Sequence, residues 1–215
     1  MPPVPIETVR ITAADGVRLV ADIARPDGGA PPVGAVVVAH PHPLYGGDRR
    51  SPVVGALFDA WATAGWAAIR FDFRGAGMSE GEHDHGIAER LDIAAALDAV
   101  APPSGEGPVV AAGYSFGSLV ALQAVDQRIT HWVAVAPPLG RGGHEPPPAA
   151  RDPRPKLVIA AGHDQFTRLD ATRSLTSRWV NTRLVTLPMA DHFLAGHTGT
   201  VADAALEFVS GPAAR

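Results

Sequence analysis

The chain has 215 residues, 46% of them hydrophobic, a formal net charge of −4 and no cysteine. That length suffices for one sizeable core but not for two ordinary domains, so residues 1–215 are expected to form a single domain. No basic run or basic-aromatic interleaving offers a footprint for nucleic acid or an anionic membrane, and the missing cysteine excludes disulfides, a thiolate nucleophile and cysteine-bound zinc.

Strand-like alternation covers Thr8 to Thr12 and Val17 to Ile23. Continuous apolar runs follow at Ala35 to Ala39, Ala67 to Phe73, Val109 to Gly113, Trp132 to Ala136, Leu157 to Ala161 and Leu184 to Leu187. Between them lie helical stripes, with Val54, Leu57, Phe58 and Trp61 on one face and Ile87, Leu91, Ala94 and Leu97 on another; a further helix is expected over Leu169 to Trp179. Alternating strands and helices need crossovers, and runs apolar on both faces suit strands buried on both sides. A mostly parallel sheet with helices on each face is therefore expected. The Pro-, Gly- and Ala-rich stretch from Pro137 to Pro155 reads as a loop of about twenty residues, long enough to suspect a function. Met1-Pro2-Pro3-Val4-Pro5 lacks the pattern of a signal peptide and no run approaches the about 18 apolar residues of a membrane span, so the cytoplasm is the expected compartment. A single lysine, Lys156, set against abundant Arg, Ala, Gly and Pro suggests a GC-rich bacterial genome.

The most informative segment is Gly113-Tyr114-Ser115-Phe116-Gly117, where an apolar strand runs directly into an apolar helix. A strand that becomes a helix within one residue forces the serine into a strained conformation and exposes its hydroxyl at a helix N-terminus, which favours developing negative charge. Gly77-Met78-Ser79-Glu80-Gly81 has the same spacing, but a polar, glycine-broken stretch follows it, so Ser79 is read as a turn serine.

Ligands of open parallel sheets bind beyond the carboxyl ends of strands. Four such ends carry chemistry: His40-Pro41-His42-Pro43-Leu44-Tyr45-Gly46-Gly47, Ser115, Gly162-His163-Asp164 and Asp191-His192. A serine hydroxyl needs a base to take its proton during attack, which His192 can be, and a carboxylate to orient that imidazole. Asp164 is preferred over Asp191, because adjacent side chains on extended backbone point to opposite sides. Two His-x-His pairs, His40/His42 and His83/His85, raise metal binding; an oxyanion role for the first loop and a solvated polar loop for the second are preferred, and no metal is expected. Asp72 and Arg74 are read as anchors for the Gly75 to Gly81 turn.

The chain order Ser115, Asp164, His192, with the His-Pro-His-Pro-x-x-Gly-Gly loop and the segment Phe71 to Gly81, resembles the α/β-hydrolase superfamily from about Val17 to Val209, and within it small, lidless bacterial hydrolases. The resemblance implies an α/β-hydrolase fold without a large cap domain, a serine hydrolase cleaving a small carboxylic ester or thioester through an acyl-enzyme on Ser115, and no cofactor. It places one oxyanion N–H on Phe116 and the other in the loop after the first long strand. There Pro41 has no N–H, leaving His42 or a later residue such as Leu44 or Tyr45. Leu44, Tyr45 and Tyr114 are expected to line the substrate site. An amidase or peptidase with the same residues, or a non-catalytic ligand-binding relative, are the rival readings.

Overall fold

The computed structural model describes residues 4–26, 30–101, 107–140 and 145–211. Its centre is one eight-stranded sheet in the spatial order β1-β2-β4-β3-β5-β6-β7-β8. The strands are β1 (Ile6–Thr12), β2 (Arg18–Ala24), β3 (Ala35–Ala39), β4 (Ala67–Phe71), β5 (Val109–Tyr114), β6 (His131–Val135), β7 (Lys156–His163) and β8 (Thr182–Asp191). β1 and β2 join by antiparallel pairing, and β4, β3, β5, β6, β7 and β8 run parallel. The helices are α1 (Pro52–Thr63), α2 (Glu89–Val100), α3 (Phe116–Gln123), α4 (Leu169–Thr176) and α5 (Thr198–Ser210). None of the described helices is long and apolar enough to cross a membrane.

Strand β3 shows why its run is unbroken. Ala35, Val37 and Ala39 enter one apolar layer with Ile93, Leu97, Val120 and Leu122, while Val36 and Val38 enter another with Leu57, Phe58, Trp61 and Val201. Alternate side chains thus feed opposite layers, α2 and α3 covering one face and α1 and α5 the other. The expected stripe Val54, Leu57, Phe58, Trp61 is the buried face of α1, which starts with Pro52 in its first turn, where a missing N–H costs nothing.

Three expectations need correction. Ile87 lies outside α2 and is exposed; the buried face of α2 instead carries Glu89 and Asp92 beside Ile93, Ala96 and Leu97. Those acids have partners: Glu89 accepts the N–H groups of Asp84 and Gly86, each at 2.8 Å, and Asp92 receives the Arg74 guanidinium at 2.7 Å. The edge strand β8 runs over ten residues rather than four, because its exposed side carries mixed polar residues that blur the apolar signal. Within the expected loop after β6, a short 3-10 turn at Pro148–Arg151 buries Ala149 and Ala150, and residues 141–144 of that loop lie outside the described residues.

The loop after β4 is fixed by buried charge. Asp72 accepts the backbone N–H of Arg49 at 2.9 Å and its Nη1 at 2.5 Å, and Arg49 also meets Asp22 at 3.2 Å. Arg74 bridges Asp92 and Asp15. Asp72 and Arg74 are both anchors, to separate partners. Ser79 closes the turn, its Oγ donating to the Asp72 carbonyl at 2.7 Å and accepting from Val20 N–H at 2.9 Å, and so has the turn role read from its surroundings.

Candidate active site

Ser115 sits between β5 and α3 at φ 51°, ψ −118°, a left-handed conformation that costs a non-glycine residue about 1–3 kcal/mol. The bend leaves no room beside it. A Cβ on Gly113 would lie 2.6 Å from Ser118 N, and one on Gly117 would lie 2.5 Å from the Ala39 carbonyl oxygen at the end of β3. Ser115 N–H donates to Val135 O at 2.9 Å, tying the bend to β6.

The hydroxyl points at His192. Ser115 Oγ lies 2.9 Å from His192 Nε2, and His192 Nδ1 lies 2.8 Å from Asp164 Oδ2. A carboxylate can only accept, so Nδ1 carries the proton and Nε2 is left to accept from the serine. Asp164 divides its oxygens, since Oδ1 accepts from Phe166 N–H at 2.7 Å and Thr167 N–H at 3.0 Å. Burial pushes the Asp164 carboxyl up, but the hydrogen bonds from His192, Thr167 and Phe166 outweigh it and hold it below the ordinary carboxylate range. Asp191 is not the partner of the imidazole; its Oδ1 accepts the N–H groups of Phe193 and Leu194 in the turn beyond β8.

The loop after β3 stands beside this line. Leu44 N–H donates to His42 Nδ1 at 3.3 Å, and the N–H groups of Tyr45 and Gly47 both donate to His42 O at 3.1 Å. The 3-10 turn Pro43–Tyr45 thus uses up the N–H groups of Leu44 and Tyr45. The N–H groups of His42 and Phe116 have no acceptor among the described residues. Phe116 opens α3, where a free N–H is inherent in helix geometry, and its ring packs 5.0 Å from that of His42.

Leu44 and Tyr45 lie on the solvent side of that turn, 65% and 87% exposed, with the Tyr45 ring against His42. Tyr114 does not line the site. It is 6% exposed, because it points into the layer of α1 and α5, and its hydroxyl donates to the His192 carbonyl at 2.9 Å. Two residues went unread in the sequence: Gln165, whose Oε1 accepts His192 N–H at 3.1 Å, and Phe166, whose ring meets the imidazole edge-to-face at 4.5 Å. Their position directly after Asp164 was the available signal.

The histidine pairs have other work. His40 is buried, with Nδ1 donating to Pro41 O at 2.6 Å and Nε2 accepting Phe73 N–H at 2.9 Å, so it laces the ends of β3 and β4 together. Burial pushes its pKa down to about 4. His83 is not solvated as expected: its side chain is buried, its ring meets that of His42 at a tilt and that of His85 edge-on, and its Nδ1 lies 2.7 Å from Glu89 Oε1. Among the described residues no group of three or more His, Cys, Asp or Glu is arranged to hold a metal ion.

Comparison with known proteins bears on the family and the fold. Residues 15–142 match the family described as X-Pro dipeptidyl-peptidase (S15 family). The chain belongs to this S15 family, an α/β-hydrolase family. The match spans the S15-family chain from β2 through the Ser115 bend and ends before Asp164 and His192. The S15-family chain is also 32% identical over 150 residues to an uncharacterized protein of Rickettsia prowazekii, covering 67% of this chain and 63% of that protein. It therefore spans less than two thirds of the length of that curated relative. Among solved structures it resembles an α/β serine hydrolase homologue from Coxiella burnetii, with TM-score 0.82 and 28% identity over 92% of this chain and 94% of the other. It also resembles a lidless α/β serine hydrolase from Xanthomonas campestris, with TM-score 0.78 and 25% identity over the full length of both. The fold is that of α/β hydrolases lacking a lid.

Proposed function

We propose that this protein is a serine hydrolase that cleaves a small carboxylic ester or thioester through an acyl-enzyme on Ser115. The observation that carries the reading is the continuous line Ser115 Oγ, His192, Asp164, joined at 2.9 and 2.8 Å beside a strained bend. Ser115 Oγ attacks the carbonyl carbon as its proton passes to His192 Nε2. The N–H groups of Phe116 and His42 receive the oxyanion, an interaction whose loss typically costs on the order of a hundredfold in rate. Collapse breaks the bond to the leaving alcohol or thiol, which takes the proton from Nε2. Water then attacks the acyl carbon, giving its proton to Nε2, and Ser115 leaves with that proton as the acid departs. Asp164 holds the imidazole in its tautomer and stabilises its cation throughout.

The family description favours a second reading, in which the same relay cleaves an X-Pro peptide. An enzyme that measures two residues from a free N-terminus needs a carboxylate to receive the ammonium group. Asp164 is spent on the relay itself, with Oδ2 on His192 and Oδ1 on two backbone N–H groups, while Asp191 is bonded through Oδ1 alone, so it is the anilide comparison that separates the two readings.

The test is a fluorophosphonate probe followed by p-nitrophenyl esters of graded acyl length, with X-Pro anilides alongside. Labelling that disappears in Ser115→Ala and ester turnover that falls about a thousandfold or more in Asp164→Asn support the proposal. Absence of labelling in the folded protein overturns it in favour of a ligand-binding role, and preferential anilide turnover favours the peptidase.

A further inference from the structure

The backbone of His192 is gripped on both sides by side chains that the chemistry above leaves unused. Tyr114 Oη donates to its carbonyl at 2.9 Å, and Gln165 Oε1 accepts its N–H at 3.1 Å. Tyr114 also sets its ring 5.7 Å from the imidazole. Burial, with the charges of Asp164 and Asp191, pushes its phenol up to about 12, so the hydroxyl keeps its proton and remains a donor.

The two gripping residues are chain neighbours of the other relay members: Tyr114 precedes Ser115 and Gln165 follows Asp164. His192 needs such help. It lies just past β8, which pairs only with β7 at the sheet edge, with a register irregularity between Ala161 and His163, and the turn beyond it puts Leu194 at φ 57°. The paired register ends at Asp191, opposite His163, so His192 is the first residue beyond the strand ladder, and a misplacement of about 1 Å can cost on the order of a hundredfold in rate.

We propose that Tyr114 and Gln165 are positioning residues that clamp the His192 main chain and register its imidazole between Ser115 and Asp164, an inference that rests on the hydrolase reading. The clamp makes the spacing of the base follow from the two chain segments that carry the nucleophile and the acid.

Tyr114→Phe, Gln165→Met and the double variant, assayed on a p-nitrophenyl ester, test it. Each single change is expected to lower kcat about five- to tenfold at unchanged KM. The double variant should fall little further, since either loss frees the same residue and coupled sites are non-additive. The proton NMR signal of His192 Nδ1–H, identified by its absence in His192→Gln, should broaden in both single variants. Folded variants that keep kcat within twofold of wild type with an unchanged Nδ1–H signal overturn the clamp, even if they melt earlier, because a merely structural role would move only the melting temperature. Wild-type protein that a fluorophosphonate fails to label at Ser115 overturns the hydrolase reading and the clamp with it; labelled wild type with indifferent variants overturns the clamp alone.

Discussion

Gly117→Ala sets two physical effects of opposite sign against each other at the bend. Gly117 is the second residue of α3, and alanine is favoured over glycine within a helix by about 0.8–1 kcal/mol. Against this, the new Cβ would lie 2.5 Å from Ala39 O and 2.6 Å from Ala39 C, with the His40 carbonyl oxygen also in its way. Cβ atoms are comfortable only beyond 3.0–3.4 Å, so α3 and the end of β3 must part by about half an ångström or more. The obstacles are backbone atoms and cannot rotate away. Overpacking of this kind costs about 1–3 kcal/mol, which offsets or exceeds the helix gain and leaves a net destabilisation of up to about 2 kcal/mol, or a few degrees in Tm. The larger effect falls on catalysis, because β3 leads into the His42 loop and α3 opens with Phe116, so the shift separates the two proposed oxyanion donors. Ester turnover should fall about 10- to 100-fold in kcat with little change in KM. Gly199→Ala is the control: this glycine also lies in a helix, α5, with nothing within 4 Å of the Cβ that alanine would add, and the change should leave kcat unaltered and raise stability by about 0.5 kcal/mol. Thermal unfolding and steady-state kinetics on both variants decide the matter; a Gly117→Ala protein as active and as stable as wild type would refute the packing argument.

Two further outcomes concern stability. His40 is neutral in the fold with its pKa depressed to about 4, against about 6.5 when unfolded, so between those values the unfolded chain binds more protons. The stability it contributes is complete above about pH 6.5 and lost as pH falls toward 4, about 3 kcal/mol in all. Urea unfolding from pH 7 to 4 should show this slope, and His40→Gln should flatten it. Asp72→Ala leaves the buried Arg49 guanidinium with Asp22 alone, and removal of one member of a buried pair should cost about 3–5 kcal/mol by urea midpoint; a loss under about 1 kcal/mol would show that Asp22 suffices.

Periodicity exposes what repeats locally and hides what depends on distant partners. The α1 stripe and the runs of β3 and β5 are legible because each face packs apolar side chains, and Ser115 stands out because a strand and a helix meet on it between two glycines. The register of α2 is not legible, since its inward face carries Glu89 and Asp92, whose burial is tolerable only through Arg74 and the N–H groups of Asp84 and Gly86. Nothing in the neighbourhood of either acid announces that partner. Tyr114 fails for the same reason at longer range: an aromatic residue at the tip of a strand beside a nucleophile reads as a substrate contact, yet its hydroxyl is claimed by a carbonyl 78 positions away. The oxyanion loop is intermediate, as Pro41 removes one donor by sequence alone, while the engagement of Leu44 and Tyr45 requires the turn to be seen.

The distribution of tasks around the proposed relay follows from one constraint, that each side chain needs a fixed direction although it sits on a connecting segment. Ser115 gets its direction from a left-handed backbone that only the packing of Gly113 and Gly117 makes tolerable. Asp164 gets its direction from its own turn, one oxygen bound to two backbone N–H groups so that only the other is free for His192. His192 has neither device, being on an edge-strand turn whose hydrogen bonds are made by Asp191 to the residues after it. Its orientation therefore has to be supplied from outside, and the groups within reach are those carried at the ends of β5 and β7. That is why the side chains bonded to its backbone come from the residues adjoining Ser115 and Asp164, and why rate should respond more sharply than stability to their removal.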